Sequence, residues 1–115
     1  MTEEEIATTL DAMTKDERGL LLYLEARAVD HGGKVEGSKM NAEDFEMAKA
    51  WSALSLIGFS RLLSAHVRGG STHAVQLSDN AFALAGEERK RRAYRTLHDE
   101  VVESLDHHGE VSRAG

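Results

Sequence analysis

The chain has 115 residues, 41% apolar and 30% charged, with no cysteine, no proline and a formal net charge of −6. That length supports one domain around one core, and the lack of cysteine excludes disulfides, thiolate zinc sites and cysteine nucleophiles. No apolar run reaches the roughly 18 residues that cross a bilayer, and Met1-Thr2-Glu3-Glu4-Glu5 is acidic where a signal peptide is basic, so a cytoplasmic domain with no membrane partner is expected.

Three helix starts carry one signature. Thr2 with Glu5 and Thr14 with Glu17 fit the capping box, in which hydroxyl and carboxylate satisfy each other's orphan amides, and Asn41 with Asp44 is a weaker version. The first helix is predicted over 3–13, with Ile6, Leu10 and Met13 on one face. The second, over 15–31, carries Leu20, Leu21, Leu24 and Ala28 and ends at His31-Gly32-Gly33, where glycine accepts the left-handed conformation. Lys34-Val35-Glu36 suffices for one edge strand. The third helix, over 42–57, aligns Met47, Trp51 and Leu54 and closes at Gly58.

A hairpin follows. Phe59–Arg68 and Thr72–Ser78 flank Gly69-Gly70, and a two-residue Gly-Gly loop would set His66 opposite His73 and Leu62 opposite Leu77, with Leu62, Val75 and Leu77 on the core face. Ser78 or Asp79 then caps a last helix over 79–106. It carries Phe82, Leu84 and Ala85 first and the stripe Tyr94, Leu97, Val101, Leu105 later, before a frayed tail over 107–115. The fold expected is mainly α with a small β-hairpin, in a single domain over residues 1–106.

The charge is segregated. Residues 1–50 carry −6, residues 51–98 carry +4 and residues 99–115 carry −4. A polyanion responds to local charge, since salt limits its reach to about 10 Å. The central block holds Arg61, Arg68 and the run Arg89-Lys90-Arg91-Arg92 with Arg95. Glu87 to Arg91 and Glu88 to Arg92 are favourable i,i+4 pairs, so a salt-bridged solvated face accounts for part of that run. Arg89, Lys90 and Arg95 fall outside those two pairs and leave a positive surplus.

The order helix, strand, helix, hairpin, helix resembles a winged helix-turn-helix domain. The segment AWSALSLIGFSRLL (50–63) is similar to a recognition helix running into the first wing strand, and HAVQLSDNAFALA (73–85) to the second wing strand and following helix. MarR-type regulators are the nearest general comparison. Only Lys34 to Met40 separates the second and third helices, so the helix-turn-helix is abbreviated.

The resemblance implies a winged-helix domain with an extra N-terminal helix and a long C-terminal helix, binding duplex DNA in transcriptional control. Recognition-helix positions would fall on Asn41, Glu43, Glu46, Lys49 and Ser52, with Lys39 just before them. Acids there are a poor match to phosphates. The wing would offer Arg61, Arg68, Gly69, Gly70, Ser71, Thr72 and His73, and the last helix Arg89, Lys90 and Arg92. An ordinary tight turn explains the same hairpin tip. The acidic third helix supports a second reading, a protein-interaction adaptor or inhibitor with a protein partner in place of DNA.

The resemblance also implies a homodimer through the terminal helices, with Ile6, Leu10 and Met13 and then Tyr94, Leu97, Val101 and Leu105 as interface; the alternative is packing of the first helix on the last within one chain. The His66/His73 pair lacks a third ligand on the hairpin, so no metal is assigned. Neither Gly37-Ser38 nor Gly70-Ser71 forms a nucleophile elbow, and Gly32-Gly33 follows a helix where a phosphate loop precedes one. No enzyme activity and no cofactor are expected.

Overall fold

The computed structural model describes residues 1–63 and 70–114, with side chains described through Asp99. It is mainly helical with one small antiparallel sheet. The elements are α1 (Glu3–Ala12), α2 (Lys15–Asp30), β1 (Lys34–Val35), a single 3₁₀ turn (Gly37–Lys39), α3 (Ala42–Ala53), β2 (Ile57–Arg61), β3 (His73–Leu77) and α4 (Asp79–Ala114). All three capping boxes form. Thr2, Thr14 and Asn41 each accept from the backbone amide three residues on, and Glu5, Glu17 and Asp44 reach back to the cap amides. The backbone N–H of Thr2 first, and its hydroxyl second, hold the Glu5 carboxyl below its ordinary value.

The sheet order is β1-β3-β2, so β3 is the central strand. Its register corrects the expected hairpin. Ile57 pairs with Leu77, Phe59 with Val75 and Arg61 with His73, while Leu62 donates to Thr72 in the next rung. A Gly69-Gly70 two-residue loop is incompatible with this pairing. The register differs by an odd number of residues, which turns the first strand over: Ile57 and Phe59, not Leu62, share the core face with Val75 and Leu77. The physical reason lies in the alternation Ile57-Gly58-Phe59-Ser60, which begins two residues before the expected strand. His66 and Arg68 lie outside the described residues, and His73 faces Arg61 rather than a second histidine.

The early start of β2 follows from an early end of α3. The helix stops at Ala53, not at 57, because Ser55 takes φ 60° and closes a Schellman motif without glycine. Leu56 N–H donates to the Trp51 carbonyl and Ser55 N–H to that of Ser52. Leu54 is thereby thrown out to solvent, although periodicity had placed it with Trp51.

The core joins Leu10 of α1, Leu20, Leu21 and Leu24 of α2, Val35, Met40, Ala48, Trp51, Ile57 and Val75 to Ala81, Leu84 and Ala85 of α4. On α4 the inward face is Ala81, Leu84, Ala85 and Glu88, a spacing of three, one and three, and Phe82 turns outward instead. The helix expected to end at 106 continues to Ala114. It contains no proline, and only Gly109 breaks its second half, so the predicted frayed tail is helical backbone. No described helix is long and apolar enough to cross a membrane.

Gly33 ties α2 to the sheet. Its carbonyl accepts from Val75 N–H at 2.8 Å, its φ is +81°, and an added Cβ would lie 2.5 Å from the Val75 carbonyl oxygen. Gly33→Ala is expected to cost more than about 1 kcal/mol in urea denaturation, whereas Gly32→Asn, in open space at φ +61°, should cost less than that.

Candidate nucleic-acid interface

The outward face of α3 is built by its own capping and core demands. Ala48 and Trp51 point in, which turns Glu43, Glu46, Lys49 and Ala50 out. Lys49 Nζ lies 3.7 Å from Glu46, so the one cation on that face sits beside a carboxylate. Asn41 is occupied as N-cap, accepting from Asp44 N–H at 2.8 Å, and Ser52 is half-buried. The position expected to read bases is an acidic surface.

The hairpin residues divide. Ser71 is buried. Thr72 is structural: its amide donates to the Val35 carbonyl, and its hydroxyl oxygen accepts from Gly37 N–H at 2.9 Å. That hydroxyl also lies within hydrogen-bond distance, 2.7 Å, of His73 Nδ1. His73 stacks on Phe59 at 5.1 Å and 10° and meets Phe45 at 5.1 Å. Neither Thr72 nor His73 is a free wing-tip donor. They join the turn before α3 to the hairpin instead. Arg61 and Gly70 remain exposed, and Arg68 and Gly69 lie outside the described residues.

The basic run of α4 is largely engaged within the chain, which corrects the expected surplus. Both i,i+4 pairs form, Glu87 with Arg91 at 3.9 Å and Glu88 with Arg92 at 3.3 Å. Arg89, expected to be unmatched, makes a two-pronged contact with Glu25 of α2 at 2.9 and 3.0 Å. Arg91 reaches Asp11 of α1 at 2.9 Å, and Arg95 reaches Glu88 at 3.3 Å. Arg18 completes a cluster of three guanidiniums around Glu88, which is fully buried. Spacing along one helix reveals pairs within that helix only. Contacts between Glu25 and Arg89, or Asp11 and Arg91, depend on which helices meet.

Among the described residues, Lys15, Lys34, Lys39, Arg61 and Lys90 make no ion pair within 4 Å. Three of them, Lys34, Lys39 and Arg61, belong to β1, the 3₁₀ turn and β2. The candidate contact surface therefore shifts from α4 toward the sheet. Lys34, on the edge strand, was not singled out by its sequence context.

The two apolar stripes are also treated unequally. Leu10 is fully buried, and Ile6 and Met13 pack against the core, so α1 is covered within its own chain. Met1 meets Asn80 and Asp11 meets Arg91, so α1 runs parallel to the first half of α4. Tyr94 and Leu97 are 74% and 63% exposed. The side chains of Val101 and Leu105 lie outside the described set.

Comparison with family models, curated proteins and solved structures finds no match for this chain. Among the described residues no group of three metal-ligating side chains converges.

Burial first, and the charge of Arg61 second, push His73 below the ordinary imidazole value of 6.5. The unfolded chain then binds a proton before the native state does, so stability present above pH 6.5 is lost as the pH falls through the lower native value. The unfolding midpoint should decline between pH 7.5 and 5, and His73→Phe should flatten that decline; a parallel curve in the variant excludes His73 as the cause.

Proposed function

We propose that the chain is a small winged-helix DNA-binding protein of MarR-like type, a cytoplasmic regulator of transcription acting as a homodimer. The observation that carries the reading is the order α2, β1, turn, α3, hairpin, with sheet order β1-β3-β2 and with α3 leading directly into the hairpin. The 3₁₀ turn Gly37–Lys39 stands where a full helix-turn-helix has its first helix, in keeping with the abbreviated motif. Among the described residues, Lys34, Lys39 and Arg61 supply cations without ion-pair partners around the sheet, while Arg89, Arg91, Arg92 and Arg95 pair with acids of the fold. Contact with duplex DNA then runs mainly through the hairpin and sheet edge to phosphates, with Lys49 as the cation of α3.

A second reading has its own observation. A groove of about 650 Å³ between the starts of α2 and α3 is lined by Asp16, Glu17, Glu43 and Glu46 with Met47 beside them, a surface suited to a basic peptide. On this reading the fold serves as an interaction module and DNA is not bound.

Gel-shift titration separates the two. DNA binding at about 50 mM salt should weaken linearly in log–log form as salt rises, and Lys39→Gln with Arg61→Gln should reduce the slope by about two. Reversal at Glu43→Lys and Glu46→Lys should strengthen binding if α3 lies against the duplex. No shift with native protein at that salt rejects the DNA reading.

The homodimer rests on α4, since α1 is already covered. Light scattering should give about twice the 12.6 kDa chain mass. Tyr94→Glu with Leu97→Glu should return a monomer, and a native 12.6 kDa species removes the dimer.

A further inference from the structure

Two clefts beside α2 share Lys15 and Arg92. One, of about 480 Å³, lies between α2 and α4 and is lined by Lys15, Arg18, Arg92 and Arg95 together with Glu88 and Asp99. The other, of about 470 Å³, continues past Lys15 and Arg92 to Lys39, Asn41 and Asp44 at the start of α3. The first cleft sets four cations against two carboxylates, in a protein whose total charge is −6.

The floor of that cleft is unusual. Glu88 is fully buried, its Oε1 alone receives Arg18, Arg92 and Arg95, and its Oε2 has no hydrogen-bond partner among the described residues. Burying a carboxylate with one oxygen unpartnered is costly. Its effect is to hold three guanidiniums around one point, with positive charge left over.

Each guanidinium has five N–H donors, and one carboxylate oxygen occupies few of them. The side chains of Arg92 and Arg95 line the cleft and are 42% and 57% exposed, so both remain open to a ligand. Lys15, at the first position of α2, lines the same cleft and adds an ammonium that makes no ion pair among the described residues. Because Glu88 fixes the arginines in advance, a ligand is spared the cost of ordering them.

We propose that this cleft binds a phosphoryl oxyanion, either inorganic phosphate or the phosphate group of a small ester. Arg92 and Arg95 donate charge-assisted hydrogen bonds to its oxygens, Lys15 acts as a point charge, and Glu88 is a positioning residue beneath them. A doubly charged group with three acceptor oxygens matches this donor set better than a carboxylate with two. The site does not depend on the DNA reading, since the cleft lies on α2 and α4 and its test uses no duplex in the first arm.

That arm measures the unfolding midpoint against inorganic phosphate, with sodium chloride at matched ionic strength as control. Native protein should show a saturable rise beyond chloride. Arg92→Gln with Arg95→Gln should weaken half-saturation at least about ten-fold, the loss of two charge-assisted bonds. Lys90→Gln, outside this cleft, should leave it unchanged, and Lys15→Gln gives an independent loss if the double variant does not fold. A second arm titrates duplex DNA against the same variants. Retained duplex binding alongside the lost phosphate response assigns the cleft to a free phosphoryl ligand, and loss of both assigns it to the DNA backbone. A phosphate response no greater than chloride, or one equal in native protein, R92Q/R95Q and K15Q, overturns the proposal.

Discussion

The buried carboxylate of Glu88 is the constraint around which the helices are arranged. A charge at zero exposure survives only with partners, and its partners come from two helices, Arg18 on α2 and Arg92 and Arg95 on α4. Those contacts fix the rotation of α4 about its own axis, because Glu88 must point inward with Ala81, Leu84 and Ala85. Arg89 is then brought to Glu25 and Arg91 to Asp11 on either side. Arg18 also caps the end of α1, donating to the Leu10 and Met13 carbonyls, so one side chain joins three helices. The ion pairs specify how α1, α2 and α4 meet, a task that a layer of leucine and alanine would leave less defined.

The legible part of the fold was local. Capping boxes at Thr2, Thr14 and Asn41 depend on residues three apart, so they could be read from sequence and are all formed. The end of α2 at Gly32-Gly33 was readable for the same reason. The hairpin register was not. A Gly-Gly pair is a strong turn signal, yet β3 is held on its other side by β1, through Thr72 to Val35 and Val75 to Gly33. A strand paired on both edges takes the register that suits both neighbours, and the turn must adapt. The end of α3 was hidden for a different reason: Ser55 occupies the left-handed position that a reader assigns to glycine.

For the site, residue type was legible and availability was not. The arginines of α4 looked like a surface for a polyanion, and three of those assigned or left in surplus are tied to carboxylates of α2 or of α4 itself. Thr72 and His73 looked like donors at a wing tip and instead bridge Gly37, Phe45 and Phe59. The net charge of −6 conceals both facts. Asp11, Glu25, Glu36, Glu87 and Glu88 are used to hold arginines in place, and, of the cations without ion pairs among the described residues, Lys34, Lys39 and Arg61 lie around the sheet and Lys15 at the cleft. A charged side chain informs about partners only after its bonds within the chain have been counted.

The order of strands has a consequence for how the chain acquires its structure. Among the described residues, both β1 and β2 pair only with β3, which is synthesised after them. While a ribosome makes residues 1–72, Val35 and Ile57 have helices to pack on but no strand to join, and the backbone groups of β1 and β2 stay open. Emergence of His73–Leu77 closes both edges in one step and delivers α4, with its arginines, to carboxylates already waiting on α1 and α2. Closure of the sheet therefore waits for residues 73–77, which follow both of their partner strands in the chain.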